Sequence, residues 1–233
     1  MKVLVVIPAR GGSKRIPRKN IIDFNGKPMI YYSISAAKNF GYADEVMVST
    51  EDEDIAEKAK ECGANIPFMR SAKTADDKTG IADVLLEVIS EYEARKMYFD
   101  VVICILATAP LIQAKKLKEA YELMLSDESC NGVCSVEAFS YPPQRGLVIR
   151  NGRLEMKNPE NYYATSQSLE KIYHDCGQFF IIKTKALKTE KKLYVSNMLP
   201  LILDEMESQD IDNYSDLKMA EIKYNLLFKE KQL

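Results

Sequence analysis

Three short runs rich in β-branched residues, each followed by a stretch with helical periodicity, constrain this chain more than any other feature. The first, VLVVIP within residues 2–8, lacks polar alternation, the mark of a strand buried on both faces of a parallel sheet. Residues 29–40 follow, with Ile30, Ile34 and Ala37 at helical spacing and Pro28 predicted to open the helix. Residues 45–50 read as a second strand ending in the acidic STEDED, where Asp52 is placed to cap a helix carrying Ile55, Ala56 and Ala59 up to Gly63. Residues 79–96 form an amphipathic helix with Val84, Leu85, Val88 and Ile89 inward. DVVICILATAP is another buried strand, ending at Pro110, and a helix over 115–125 follows it. Parallel strands need crossover helices, so three successive β–α units predict an α/β fold with a Rossmann-like, mostly parallel sheet.

The rhythm changes after Asn131. NGVCSVEAF reads as a strand, LVIRNGRLEM as a hairpin on the turn pair Asn151-Gly152, and GQFFIIK as a late strand. Residues 139–173 are therefore an insertion projecting from the sheet. Such an arm either serves association or covers a site, or it is a loose surface hairpin. A last helix is predicted over 213–229. The chain carries no repeat, low-complexity tract or linker, so residues 1–233 read as one domain with an arm.

Thirty-two Lys and Arg against 34 Asp and Glu leave a net charge of −2, which excludes a globally basic nucleic-acid binder. Any anion site must be local. The five cysteines are scattered and His174 is the single histidine, so no zinc set can be assembled and free thiols in a reducing compartment are expected. VLVVI is too short for a secretory signal, Pro8 and Arg10 interrupt it, and no apolar run approaches a membrane span. A cytoplasmic location is the expectation.

The local anion site has an obvious candidate. ARGGSKRIPRKN places Arg10, Lys14, Arg15, Arg18 and Lys19 around Gly11, Gly12 and Ser13, directly behind the first strand. Open α/β sheets bind ligands at that edge. The glycines let backbone N–H groups approach an anion, Ser13 adds a hydroxyl, and the cations balance several negative charges, as a triphosphate requires. No Gly-Lys-Ser/Thr closes the loop as in a Walker A motif, and G-x-G-x-x-G is missing. A solvated charged loop is the competing reading.

IPARGGSKRIPRKNI with GKPMI resembles the nucleotide-binding segment of the cytidylyltransferases that activate nine-carbon sugar acids. The similarity continues in order through VSTEDEDIAEKAKECGANIPFMR, ADDKTG, CILATAPLI, YPPQRGL, YHDCGQFF and QDID. ATAP, YHDxGQF and QDID favour the pseudaminic acid branch over the sialic acid one. The resemblance implies a homodimer joined through the arm, CTP and a sugar acid as substrates, and Mg²⁺ as cofactor. It also implies that Ala9, Arg10, Gly11, Gly12, Ser13 and Lys19 hold the triphosphate, that Asn20 lies near the ribose or base, and that Arg70 helps read cytosine. A guanidinium can donate to the O2/N3 edge of that base, although Arg70 also reads as a surface arginine ending a strand. Lys14, Thr108, Gln144, Arg145, His174, Gln178 and Phe179 are the candidates for the acceptor or the phosphates. Asp76, Asp77 and Thr79 read first as a helix cap.

Asp210 and Asp212 stand two apart in QDID and share one face if the segment is extended, so they can meet one ion. Without the resemblance they read as an acid pair ahead of the last helix. With it, they are the metal ligands, and with Arg10 and Lys19 they form the catalytic set. His174 is a base by residue type, but positioning the substrate is its better role. Leu106, Cys176, Phe180, Thr165, Ser168 and Glu170 depart from the branch pattern, Thr165 at the place of an expected arginine. The nucleotide half is intact and the sugar half differs. The acid is thus pseudaminate, an isomer or a modified relative. CMP-sialic acid or CMP-Kdo synthesis, a sugar-phosphate nucleotidyltransferase and a non-catalytic nucleotide binder are the alternatives.

Overall fold

The computed structural model describes residues 1–76 and 78–229. Strand β1 (Val3–Pro8) leads through the cation-rich loop to a small ribbon, β2 (Asp23–Phe24) with β3 (Lys27–Pro28), and then to helix α1 (Ile30–Asn39). Strand β4 (Glu45–Ser49) and helix α2 (Glu53–Glu61) follow, then helix α3 (Ile81–Ala94), strand β5 (Val101–Ile105) and helix α4 (Ala114–Ser126). Strand β6 (Gly132–Ala138) leaves the sheet for the arm hairpin, β7 (Leu147–Arg150) and β8 (Arg153–Met156). The chain returns through β9 (Tyr173–Lys183), helix α5 (Thr184–Glu190), strand β10 (Met198–Ile202) and helix α6 (Tyr214–Tyr224), and a π-helical turn, Asn225–Lys229, extends α6.

The main sheet runs β10-β6-β9-β5-β1-β4. β1 pairs in parallel with β4 and β5, and β6 pairs in parallel with β10. β9 is antiparallel to both of its neighbours, β5 and β6, so the mostly parallel sheet has one reversed strand near its middle.

Side chains alternate between two apolar layers, as the strand period requires. Val3, Val5 and Ile7 of β1 face one layer with Ile34, Ile55 and Leu117, while Leu4 and Val6 face the other with Leu85, Val88 and Ile89. Burial on both faces explains the unbroken apolar run of β1; each such side chain contributes about 1.5–3 kcal/mol.

Several boundaries differ from the sequence reading. β5 stops at Ile105 because residues 107–108 turn ahead of Pro110. Pro28 belongs to β3, opposite Asp23, and α1 begins two residues later. The third helix starts at Ile81 with Gly80 as its N-cap. Asp52 caps α2 as expected, accepting from Ile55 N at 3.0 Å.

This topology sends every functional loop to one edge. The segments after β1, β4 and β5 leave from the carboxyl ends of parallel strands. β9 enters from that same edge, since Phe179 lies opposite Ile105, and the arm is rooted beside it, where Ala138 pairs with Tyr173. β10 runs with β6 and so delivers the QDID segment there too.

Candidate active site

Two apolar residues inside otherwise polar segments bring the site together. Ile16, between Arg15 and Pro17, and Ile211, between Asp210 and Asp212, are both fully buried in one cluster with Phe24, Met29, Tyr32, Leu217 and Ala220. Their burial clamps the cation loop against the QDID segment, although they are distant in sequence. Lys19 completes the seam. Its ammonium donates to the Ile211 carbonyl and lies 4.0 Å from Asp212 Oδ1. Burial lowers the Lys19 pKa, opposed first by the charges of Asp212 and Asp210.

The loop is shaped by its own polar groups. Asn20, nearly buried, donates Nδ2 to the Arg10 carbonyl at 2.8 Å, and Ser13 N donates to the Gly11 carbonyl at 2.9 Å. Gly11 sits so close to Asp52 that a β-carbon there would overlap its carboxylate. Around Gly12 the space is open. Arg18, in a left-handed conformation (φ 57°), turns away to Asp52 at 2.6 Å and Asp54 at 2.7 Å, so it anchors the loop to α2.

The result is a cleft of about 590 Å³ at the sheet edge. Arg10, Ser13, Lys14, Arg15, Lys19, Asn20 and Asp212 form one wall, and Thr74, Asp76, Thr79, Ile81 and Val84 form the opposite one. Pro8, Arg70, Leu106, Ala107 and Thr108 close the base. The Leu106 backbone is pinned on both sides, its carbonyl accepting from Ser33 Oγ at 2.7 Å and its N–H donating to the Gln178 carbonyl at 2.8 Å. A cationic wall, with the apolar side chains of Ile81, Val84 and Leu106 also in the lining, suits a ligand with a phosphate chain and a flat ring.

The acids sit at the rim. Asp212 accepts from Arg15 NH2 at 2.7 Å. Asp210 lies behind it, its carboxylate packed against Gly177, whose left-handed backbone (φ 67°) admits the contact. Partial burial, with Asp212 beside it, pushes the Asp210 carboxyl above its usual range. Two carboxylates crowded around one lysine are the donor set that suits Mg²⁺, which takes one or two carboxylates and completes its shell with phosphates and water. Among the described residues no group of three or more potential ligands gathers, so most of that shell would come from substrate and solvent.

The cleft thus collects Arg10, Ser13, Lys14, Arg15, Lys19, Asn20, Arg70, Asp76, Thr79, Leu106, Thr108 and Asp212 from the residues singled out in the sequence. Several others lie outside it. Ala9 is fully buried, its N–H on the Ser49 carbonyl, and Gly11 N–H donates to Glu51 Oε1 at 2.7 Å. Phe179 is core, not a sugar contact: both faces of the central strand β9 are covered, so Phe179 and Phe180 fill opposite layers. Gln178 Nε2 is committed to the Glu207 carbonyl at 2.6 Å. His174 lies in tilted ring contact with Phe139, centroids 4.6 Å apart, at the root of the arm. Gln144 and Arg145 lie in the arm, where Gln144 donates to the Glu170 carbonyl and Arg145 lies 6.0 Å from the Tyr141 ring. Asp77 lies outside the described residues.

Sequence reasoning missed Thr74, Ile81, Val84 and Glu51. Ile81 and Val84 carried a signal, since both stand on one face of a helix that begins at the sheet edge. Glu51 was masked by the capping Asp52 beside it.

A Rossmann-like sheet whose carboxyl edge presents a cation-walled cleft beside two carboxylates defines a nucleotide-binding transferase. The family model described as cytidylyltransferase matches residues 4–215, and the chain belongs to that family. It is 41% identical over 227 residues to the pseudaminic acid cytidylyltransferase of Campylobacter jejuni, covering 97% of each chain. It is 31% identical to the CMP-N,N'-diacetyllegionaminic acid synthase of Legionella pneumophila, covering 95% of each. Among solved structures, CMP:2-keto-3-deoxy-manno-octonic acid synthetase complexed with CTP superposes with a TM-score of 0.71 at 20% identity, over 99% of this chain and 100% of that one. The last likeness is one of fold.

Proposed function

We propose that this cytidylyltransferase joins CMP from CTP to the anomeric hydroxyl of pseudaminic acid and releases pyrophosphate. The observation that carries the reading is the seam of Lys19 and Asp212, which closes the cation loop and the acid segment around one cleft. The full-length similarity to enzymes named for this acid supports the choice of acceptor.

In this reading, Arg10, Ser13, Lys14 and Lys19 hold the triphosphate, Arg70 faces the cytosine, and Ile81, Val84 and Leu106 pack against the nucleoside. The acceptor hydroxyl attacks the α-phosphorus, the bond to the β-phosphate oxygen breaks, and the cations neutralise the charge that gathers on the leaving pyrophosphate. Asp210 and Asp212 are the residues that would hold Mg²⁺, which when bound would supply Lewis-acid polarisation of the phosphate.

The arm is read as a homodimer contact. Ile149 pairs with Leu154 across the hairpin, and Leu147 with Met156, so Leu147, Ile149 and Leu154 share one face. They are 60%, 75% and 69% exposed, an apolar surface that a second copy would cover.

Pyrophosphate release from CTP and Mg²⁺, with pseudaminic acid, N-acetylneuraminic acid, a legionaminic acid and Kdo supplied in turn, tests the function. Release with pseudaminate far above the others is expected. Release with another acid keeps the chemistry and replaces the acceptor, and silence with all four overturns the reading.

A further inference from the structure

Glu51 stands where β4 hands over to α2, between the head of the cation loop and Arg70. Its Oε1 accepts the Gly11 N–H at 2.7 Å, at the head of the cation loop. Its Oε2 is shielded from solvent, has no hydrogen-bond partner among the described residues, and lies 3.9 Å from Arg70 NH1. That separation is a charge contact, too long for a hydrogen bond.

Arg70 needs such a neighbour. Its side chain is 4% exposed, and a guanidinium keeps its charge when buried. Nε and NH2 are committed to Ser49, Nε to the hydroxyl at 3.1 Å and NH2 to the backbone carbonyl. Burial lowers the Arg70 pKa, and Glu51 is the first charge opposing that, ahead of Glu87. At 3.9 Å the pair is not closed to a hydrogen bond, and among the described residues NH1 donates to no acceptor at the base of the cleft.

We propose that Glu51 is a positioning residue for the nucleotide. It fixes the Arg70 guanidinium at the cleft base with NH1 directed to the ligand, and through Gly11 it ties the triphosphate loop to the same carboxylate. The two ends of the nucleotide are thereby set by one side chain that touches neither. The inference rests on the reading that Arg70 faces the base.

Glu51→Gln isolates the effect, because it keeps the shape and an oxygen for Gly11 while removing the charge. Calorimetric binding of CTP without acceptor, together with kcat and KM for CTP and for UTP, reads it. The expected result is CTP affinity weakened at least about tenfold, with KM moving more than kcat and the preference for CTP over UTP falling by a similar factor. Glu51→Asp, which retains the charge, should recover part of both, and it reads the same ratio if the glutamine variant does not fold. Unchanged CTP affinity and unchanged preference in the folded glutamine variant overturn the proposal. Arg70→Lys, measured in parallel, separates the two readings. If it collapses the preference while Glu51→Gln does not, only the role of Glu51 falls; if it too leaves the preference intact, base reading by Arg70 falls with it.

Discussion

Lys19 Nζ lies 4.0 Å from Asp212 Oδ1 and donates to the carbonyl of Ile211, so the first loop of the chain and the segment before its last helix meet at one ammonium. Lys19→Ala removes a cation from the cleft and a tether from the seam. Turnover should fall about 10²–10³-fold, with weaker CTP binding, as for loss of one preorganised charge at a reacting phosphate. Steady-state kinetics and calorimetry check both; wild-type values in each would return the loop to a solvated surface.

Asp212 faces Arg15 at 2.7 Å as well as the cleft. Asp212→Ala should remove at least about 99% of Mg²⁺-dependent turnover while the melting profile stays close to wild type, since the carboxylate is half exposed. Titrating Mg²⁺ against pyrophosphate release provides the test. A variant with a normal rate and normal Mg²⁺ dependence would remove Asp212 from the metal's ligands.

Gly177 combines a positive φ with close contact to Asp210. Gly177→Ala therefore strains the backbone and presses a methyl group on the carboxylate. A loss of about 1–2 kcal/mol is expected in denaturant unfolding, with Mg²⁺ dependence shifted to higher concentration. Neutral stability would show that β9 relaxes there.

Glu87 carries a pH dependence with a definite sign. Burial pushes its carboxyl upward, but donation from Thr74 Oγ1, Ser71 N and Ser71 Oγ outweighs that and holds it below the usual range. A depressed folded pKa contributes stability above the unfolded value of about 4.3, and that stability disappears as pH falls through the folded value. Thermal melts of wild type and Glu87→Gln should differ near neutrality and converge in acid. A gap that does not change with pH would place the difference in packing.

Ile149 and Leu154 lie opposite one another on the outer face of the arm. The double substitution Ile149→Asp with Leu154→Asp should turn a dimer into a monomer in sedimentation, with the far-ultraviolet spectrum retained. A wild-type monomer would leave the arm without its assigned contact.

What the sequence revealed and what it hid follow from the range of the forces involved. The β–α rhythm, the cap by Asp52 and the Asn151-Gly152 turn are local, and each was legible. The cation loop was legible as chemistry, but the removal of Arg18 to Asp52 and Asp54 required knowing that α2 begins beside it. Phe179 is an acceptor candidate only through the resemblance, and no local pattern says that β9 lies between β5 and β6 with both faces covered. The partnership of Ile16 with Ile211 is of the same kind. Each looks like an isolated apolar residue in a charged stretch, and only the closed fold shows that the two make one contact.

The place of β9 also governs the order in which the molecule can be built. β5 and β6 are not neighbours in the sheet; the strand between them is supplied only after the chain has traversed the whole arm. On a ribosome the first half, with β1, β4 and β5, can assemble early, but its edge at β5 stays open until β9 emerges. That long-range closure carries its own loop-entropy cost. β6 and β10 have no seat beside β5 before it. The acids on the segment after β10 are therefore among the last groups to reach the cleft, and a truncated or stalled chain would carry the cations of the first loop without the carboxylates that complete them.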